Sequence, residues 1–225
     1  MFIVIFFGGI IMEKKRFIFD LDHTLMTANY GEEKEYFESI FGDDSKIFIN
    51  SSSGTTIAKL LYEYERIYKN YDINQLSEFL TLKTGLDFNR EVIIGWIESF
   101  GKCSSVVEEG VIDTLEYLKH KDYSLVILTN WFLESQMNRI KNSEICEYFD
   151  GIYAGDIVLK PRKEAYINAK ADFRNHNCIY IGDNLEKDYI GPRSCGIYSI
   201  LYDKNDIHNK NIVKIKKMNE IKRLY

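Results

Sequence analysis

The chain of 225 residues contains little proline and little cysteine, with two prolines and four cysteines. No Pro-rich linker, internal repeat or low-complexity tract marks a domain boundary. The cysteines, Cys103, Cys146, Cys178 and Cys195, form no CxxC pair and have no zinc-type histidine spacing. We therefore expect neither a disulfide framework nor a zinc site, and we expect reduced thiols in a cytoplasmic protein.

Basic residues are fewer than acidic residues in this chain. The 29 Lys and Arg residues are outnumbered by 34 Asp and Glu residues, which gives a formal net charge of -5, and the body of the chain has no dense basic run. Nucleic-acid binding relies on Lys and Arg to neutralise phosphates. We therefore expect no nucleic-acid partner, and any phosphate site must be local.

A long apolar run occurs at the N-terminus, in residues 1–11. This run is too short to span a bilayer, and it lacks the positively charged region and the cleavage site of a signal peptide. We predict that Met12 is the native start, that residues 1–11 are a non-native or loosely held extension, and that no stable membrane association forms.

Short apolar runs alternate with helical patterns over much of the chain. The runs at 17–19, 125–128, 179–181 and 197–201 are rich in β-forming residues and predict buried parallel strands. Helical patterns cover about 111–118, 132–140 and 164–171. This alternation predicts an α/β fold with a doubly wound, Rossmann-like parallel sheet.

The segment 29–101 departs from this alternation and shows consecutive helical patterns without a buried-type strand. It predicts an inserted, mainly helical domain, which leaves 12–28 and 102–225 as the α/β core. Helices are expected around 57–64, 76–82 and 92–100, with Thr55 or Thr56 capping the first and Gly85 ending the second. The C-terminal residues 214–223 predict one solvated helix.

The first polar cluster follows the strand at 17–19, in the segment FIFDLDHTL. The two-residue period of a strand lets Asp20 and Asp22 leave its end on one side, with Thr24 two residues further on. Carboxylates at the end of a buried strand are costly unless a cation or hydrogen-bond donors compensate them. An Asx turn that finishes the strand is the alternative.

Two further clusters come later in the chain. SLVILTN ends in Thr129 and Asn130, whose hydroxyl and amide groups, with nearby helix amides, suit an anion or simply a helix cap. Lys160 precedes Pro161, which suits a first helical turn and favours an extended backbone at the lysine. A solvated surface lysine is the alternative.

A fourth cluster, CIYIGDNLEKD, places Asp183 after Gly182 and Asp188 five residues beyond Asp183. Gly182 permits close backbone approach. All four clusters follow strands or their connections, where open α/β sheets bind ligands. Carboxylates, one ammonium group and neutral donors together predict a magnesium ion and a phosphoryl group.

In this order, the four clusters resemble the motifs of the haloacid dehalogenase (HAD) superfamily, in its phosphatase branch with a helical, C1-type cap. The family pattern is DxDxT, then Thr or Ser, then Lys, then GDxxxD or GDxxxxD, and the match extends over nearly the whole chain from Phe17. There are two departures. His23 stands where many members have Gly, and we expect a structural role for it, whereas Arg162 stands where Asp often follows the proline.

The resemblance implies magnesium-dependent hydrolysis of a small phosphorylated metabolite through an aspartyl-phosphate. Asp20 would be the nucleophile, and Asp22 would be the general acid and then the base. Lys160 would stabilise the phosphate charge, while Thr129 and the Asn130 amide hold a phosphate oxygen.

The resemblance also implies the magnesium ligands. These would be the Asp20 carboxylate, the Asp22 backbone carbonyl and Asp183, with Asp188 orienting water molecules or contributing directly.

Three alternatives remain. A phosphomutase of the same fold would differ in cap residues. A 2-haloacid dehalogenase attacks carbon, needs no magnesium and lacks the second aspartate of the first motif, so Asp22 argues against it. A non-catalytic phosphoryl-binding module would be expected to have lost Asp20, Asp22 or Lys160.

The substrate is not indicated by any cap motif. Residues 51–56, Arg66, Lys69 and Arg90 are candidate contacts, each expected more as a structural or solvated residue. A helical cap should close over the site and exclude water and large polymers.

Overall fold

The computed structural model describes residues 14–46, 57–209 and 211–225. The expectations for residues 1–11, for Met12, for Thr55 and Thr56 as caps and for substrate contacts at 51–56 lie outside these ranges. In chain order the strands are β1 (Arg16–Phe19), β2 (Met26–Ala28), β3 (Ser105–Val107), β4 (Ser124–Leu128), β5 (Gly151–Tyr153), β6 (Cys178–Gly182), β7 (Tyr198–Tyr202) and β8 (Lys214–Ile215).

Six of the described strands form one parallel sheet in the order β5-β4-β1-β6-β7-β8. Strand β1 is central, and Phe19 pairs with Ile127 of β4 and Ile181 of β6. All residues of β1, β4 and β6 are buried because the sheet is covered on both faces. The predicted α/β fold with a doubly wound sheet is confirmed.

The two faces of the sheet carry separate apolar layers. Phe17, Phe19 and Ile127 point into one layer, while Ile18 and Val126 belong to the other. Alternation along each strand therefore explains why these runs are apolar throughout.

Between β2 and β3 the chain forms helices α1 (Tyr30–Phe41), α2 (Ile57–Ile67), α3 (Ile73–Thr84) and α4 (Arg90–Lys102). The helical insertion is thus confirmed, and the antiparallel pairing of β2 with β3 joins its two ends. Gly85 ends α3 as predicted, with a left-handed φ of 75° and its N–H donating to Thr81 O. The apolar core of the insertion continues into Trp131, Phe132 and Leu159, so these helices pack over the carboxyl end of the sheet.

The remaining α-helices among the described residues are α5 (Val111–His120), α6 (Leu133–Lys141), α7 (Lys163–Lys170), α8 (Gly191–Ser194) and α9 (Ile221–Leu224). Helix α7 begins at Lys163, so Pro161 precedes the helix and is not in its first turn.

The prediction of one solvated helix at the C-terminus was wrong. Residues 214–223 instead form β8, a 3₁₀ turn (Met218–Glu220) and the start of α9. Ile215, Met218 and Ile221 are buried, because their three-residue spacing places all of them against the core. No helix within the described ranges has the length and apolar character that a bilayer-crossing segment needs.

Candidate active site

Three polar segments meet where β1, β4 and β6 end side by side. Asp20 follows β1, and its backbone N–H donates to Ile181 O over 2.9 Å. Thr129 follows β4, and Asp183 follows β6. The parallel order of these strands explains how residues far apart in sequence reach one edge of the sheet.

Lys160 lies at the centre of this edge and is 2% exposed. Its Nζ donates to Asp20 Oδ1 over 2.6 Å and to Asp188 Oδ1 over 2.7 Å. Burial works to lower the pKa of Lys160, but Asp188 and Asp20 outweigh it and hold that pKa well above its usual value. The alternative of a solvated surface lysine is therefore wrong, and Lys160 is a buried cation.

Asp20, Asp183 and Asp188 form an acidic cluster in which one carboxylate oxygen from each lies within 4.8 Å of the others. Burial, opposed by Lys160, raises the pKa of Asp20 to about 8, and burial together with Asp188 raises the pKa of Asp183 to about 6. Three carboxylates with one ammonium group leave uncompensated negative charge when all are ionised. Oxygen donors with this charge fit a hard divalent cation.

The Asp22 carboxylate is outside this acidic cluster and faces helix α6. Its Oδ2 accepts a hydrogen bond from Gln136 Nε2 over 3.0 Å, and its Oδ1 lies 2.7 Å from Arg139 Nη2. The metal contact that the family resemblance implies for Asp22 involves its backbone carbonyl and does not use this carboxylate.

Thr129 and Asn130 form a turn with fixed hydrogen bonds. The Thr129 hydroxyl donates to Asn130 O over 2.9 Å and accepts from Gln136 Nε2 over 3.1 Å. The Asn130 side chain accepts from Lys160 N over 2.9 Å and donates to Glu65 Oε1 over 2.9 Å. Asn130 therefore anchors the Lys160 loop and helix α2 through its side chain.

Four polar residues at the site were missed from the sequence. The phenol oxygen of Tyr180 lies 3.0 Å from Lys160 Nζ, and Gln136, Arg139 and Glu65 make the contacts described above. Tyr180 lies in an apolar strand, and Gln136 fits the helical stripe of α6, so each is typical of a core position. For Arg139, its place one turn after Gln136 was the available signal.

A pocket of about 310 Å³ opens between the helical insertion and the sheet edge. Its aromatic wall consists of Tyr30, Tyr62, Tyr71, Trp96, Phe100 and Trp131. Asp22 and Glu33 line the same space, and Glu33 Oε1 accepts a hydrogen bond from Trp96 Nε1 over 2.7 Å. Burial raises the pKa of Glu33 to about 7. The pocket thus combines flat apolar surfaces with carboxylates.

Arg66, Lys69 and Arg90, the sequence candidates within the described residues, do not line this pocket. Arg66 lines an adjoining cavity of about 350 Å³, which shares Tyr62, Glu65 and Lys187 with the aromatic pocket. Arg90 Nη1 donates to Asn74 Oδ1 over 2.9 Å at the surface. Lys69 O accepts a backbone hydrogen bond from Leu159 N over 2.9 Å.

The two departures from the family pattern have local explanations. His23 adopts a left-handed φ of 61°, a conformation that Gly enters without strain, and its ring stacks on Tyr30. Arg162 Nη1 donates to Glu65 O over 2.9 Å.

The sequence profile of the haloacid dehalogenase-like hydrolase family matches residues 17–202. A curated relative, the pyrimidine 5'-nucleotidase PynA of Streptococcus pneumoniae, is 23% identical over 204 residues, which cover 87% of this chain and 86% of the relative.

Two solved structures illustrate the fold. The putative HAD-hydrolase YfnB of Bacillus subtilis, solved with magnesium, gives a TM-score of 0.66 at 18% identity over 94% of this chain and 98% of its own. The L-2-haloacid dehalogenase of Xanthobacter autotrophicus gives 0.68 at 12% identity, with 94% and 98% covered. These structural similarities show the fold, and they do not distinguish phosphate ester hydrolysis from dehalogenation. Because the family profile extends from β1 through β7, the chain belongs to the haloacid dehalogenase-like hydrolases.

Proposed function

We propose that this hydrolase cleaves small phosphate monoesters with the help of magnesium, through a phosphoryl group carried on Asp20. The observation that carries the proposal is the contact of buried Lys160 with Asp20 and Asp188, beside Asp183. This arrangement gives a nucleophile, a fixed cation and a set of oxygen ligands at one point.

Two negatively charged groups, the Asp20 carboxylate and the phosphate, must approach each other in this reaction. A magnesium ion held by Asp20, Asp183, Asp188 and the Asp22 carbonyl would neutralise part of that charge. Lys160 contributes a second, permanent positive charge 2.6 Å from Asp20 Oδ1. Such preorganised charge stabilises the developing charge on the phosphate oxygens.

In the first step, one Asp20 oxygen forms a bond to phosphorus while the bond from phosphorus to the ester oxygen breaks. The leaving oxygen takes the electron pair of that bond and a proton from the Asp22 carboxyl. In the second step, Asp22 takes a proton from water as the water oxygen attacks phosphorus and frees Asp20. The Asn130 backbone N–H is proposed to donate to a phosphate oxygen. The Thr129 hydroxyl donates to Asn130 O in this structure, and it is proposed to rotate and donate to the same phosphate oxygen when the substrate binds.

Asp22 supports this reaction over the dehalogenase alternative. Displacement of a halide from carbon needs neither a proton donor for the leaving group nor a metal, whereas this site offers both Asp22 and the acidic cluster. Asp20, Asp22 and Lys160 are all present, which weighs against a binding module without turnover. A phosphomutase would retain its phosphorylated product for a second transfer, and the assay below separates the two by phosphate release.

The pocket favours a substrate with a flat ring. Six aromatic side chains line it, of which Tyr30 and Tyr62 are about 40% exposed and can offer ring faces to a ligand. Asp22 lines the same pocket, where a leaving group would accept its proton. Aromatic faces stack on nucleobases, and a curated relative that aligns with 87% of this chain is a pyrimidine 5'-nucleotidase. We therefore favour nucleoside monophosphates among small phosphorylated metabolites, with Glu33 as a hydrogen-bond acceptor for the leaving group.

Residues 29–101 are proposed to be the cap domain that forms one wall of this pocket. We also propose that the enzyme acts in the cytoplasm, because the free thiols of its four cysteines fit a reducing environment.

The test is phosphate release from nucleoside monophosphates, sugar phosphates and p-nitrophenyl phosphate, with magnesium and with a chelator. Wild type should need magnesium, and Asp20→Asn should lose at least about 100-fold in turnover, because the amide is a poor nucleophile. Full activity in Asp20→Asn would contradict the mechanism. Phosphate release at the same rate with magnesium and with the chelator would also contradict it. Transfer of phosphate within a sugar phosphate without release supports the phosphomutase instead.

A further inference from the structure

Two side chains of helix α6, Gln136 and Arg139, contact the Asp22 carboxylate. Gln136 Nε2 donates to Oδ2 over 3.0 Å, and Arg139 Nη2 lies 2.7 Å from Oδ1, paired by charge without the alignment of a hydrogen bond. Both side chains are buried, with Gln136 at 0% and Arg139 at 1% exposure. Such buried polar groups are costly unless they have partners, so this contact is a built feature of the fold.

Arg139 is also fixed by groups other than Asp22. Its Nη1 donates to Gln136 Oε1 over 2.8 Å, its Nε donates to Ser105 Oγ over 3.2 Å, and its guanidinium lies 4.7 Å from the centre of the Phe100 ring. A planar guanidinium held on several sides has one orientation. The charge that it presents to Asp22 therefore has a defined direction.

We propose that Arg139, assisted by Gln136, is the positioning residue that aims the Asp22 carboxyl at the leaving group. The inference rests on the proposed function, in which Asp22 exchanges protons with the leaving oxygen and with water. The Asp22 side chain is 26% exposed, and it lines the aromatic pocket while its oxygens contact α6.

The hydrogen-bonding capacity of the carboxylate permits both roles at once. Oδ1 is buried beside Arg139, whereas Oδ2 accepts one hydrogen bond from Gln136 and has a second lone pair, which leaves capacity for a proton facing the pocket. Positioning of this kind matters because a proton must be transferred over a normal hydrogen-bond distance.

The same contacts tie Asp22 to the helical insertion. Phe100 belongs to α4, and Ser105 begins β3, where the chain returns to the core. Arg139 therefore links Asp22, the proposed proton donor, to the helical insertion, which also forms a wall of the pocket.

The test compares two substrates in wild type and Arg139→Met. An alkyl phosphate such as a nucleoside monophosphate needs a proton on its leaving oxygen, whereas p-nitrophenolate leaves without one. The quantity measured is kcat/KM, which covers the steps through release of the alcohol and is insensitive to the later hydrolysis step. We expect a loss of roughly 10- to 100-fold on the alkyl phosphate and under about threefold on the aryl phosphate.

Asp22→Asn should give the same substrate-dependent pattern, and Arg139→Met should add little in that background, because both changes remove one function. Arg139→Lys should restore part of the loss, since it keeps the charge without the planar fork. Arg16→Met is the matched control. Arg16 is also buried, also stacks on a phenylalanine, Phe173, and lies at the opposite end of β1, so both substrates should respond alike.

Equal losses on both substrates, or additive losses with Asp22→Asn, would overturn the positioning role. If thermal unfolding shows that Arg139→Met does not fold, Arg139→Lys and Gln136→Met decide the question by the same ratio of substrates. Wild type that hydrolyses neither substrate would contradict the proposed function, and the inference with it. A normal wild type with equal losses contradicts the inference alone.

Discussion

At the scale of single residues, burial of charge dominates this site. Lys160 and three carboxylates share a small volume, and Glu33 lines the pocket together with Asp22. Each carboxyl whose pKa is raised binds its proton more tightly in the folded protein than in the unfolded chain. Such groups therefore couple stability to pH.

Glu33 offers the simplest test of this coupling. Its ordinary pKa of 4.5 is raised to about 7 by burial, so its contribution to stability is complete below pH 4.5 and is lost as the pH rises through about 7. Glu33→Gln stays neutral and keeps an oxygen for Trp96 Nε1. We expect the free energy of unfolding of wild type to fall between pH 5 and pH 8, relative to the variant, by on the order of 2 kcal/mol.

Urea unfolding at both pH values, without metal, measures this difference. Glu35→Gln is the control, because Glu35 lies on the same helix and is exposed. If wild type and Glu33→Gln show the same pH dependence, the carboxyl is not buried as described.

The sequence was most informative about residues at strand ends. Asp20, Asp183 and Thr129 could be placed because parallel strands bring their carboxyl ends to one edge. Arg139 and Glu33 could not, because their partners are set by how α6 and α1 pack on the core. The spacing of Arg139 one turn after Gln136 places both side chains on one face of α6, but it does not identify Asp22 as their partner.

At the scale of elements, Asp188 is positioned by the close packing of Gly182, at the end of β6, against the turn that follows that strand. Residues Leu185–Ile190 form a π-helical turn, and a Cβ added at Gly182 would lie 2.5 Å from Asp188 Cβ. No real Cβ contact is that short, so a side chain at Gly182 must displace Asp188 from Lys160.

Gly182→Ala should therefore lower kcat by at least about tenfold, because Lys160 loses a partner that orients it. Gly151→Ala is the matched control in the same sheet, since its Cβ would meet only Val126 Cγ1 at 3.9 Å. Steady-state kinetics of both variants measure the effect. Equal and small effects in the two variants would contradict the importance of the close approach.

Element boundaries show where sequence patterns are weak. The strands β1, β4, β6 and β7 contain apolar runs long enough to recognise, whereas β5 has three half-buried residues and β8 has only two residues. The C-terminal residues resembled a helix because Ile215, Met218 and Ile221 have helical spacing. Pairing of β8 with β7 overrides that local pattern.

At the scale of the whole molecule, the helical insertion is tied to the core through Glu65 of α2. This carboxylate is 6% exposed, accepts hydrogen bonds from Asn130 and Tyr71, and pairs with Lys187. One residue of the helical insertion thus contacts the turn after β4 and the turn after β6.

Glu65→Ala should loosen α2 without unfolding the sheet. We expect faster amide hydrogen exchange in residues 57–67 and unchanged exchange in β1, β4 and β6, measured by mass spectrometry. Glu63→Ala is the control, because Glu63 lies on the same helix but pairs with Lys83 inside the insertion. Equal exchange in the two variants would show that Glu65 does not fasten the insertion to the core.

The central claim is that Asp20 carries the phosphoryl group. The most direct measurement is acid quenching of the enzyme during turnover with magnesium and p-nitrophenyl phosphate, followed by peptide mass spectrometry. The account predicts a phosphoryl group on Asp20 in wild type and none in Asp20→Asn. A phosphoryl group on another residue, or full turnover with Asp20 unmodified under conditions that preserve acyl phosphates, would contradict it.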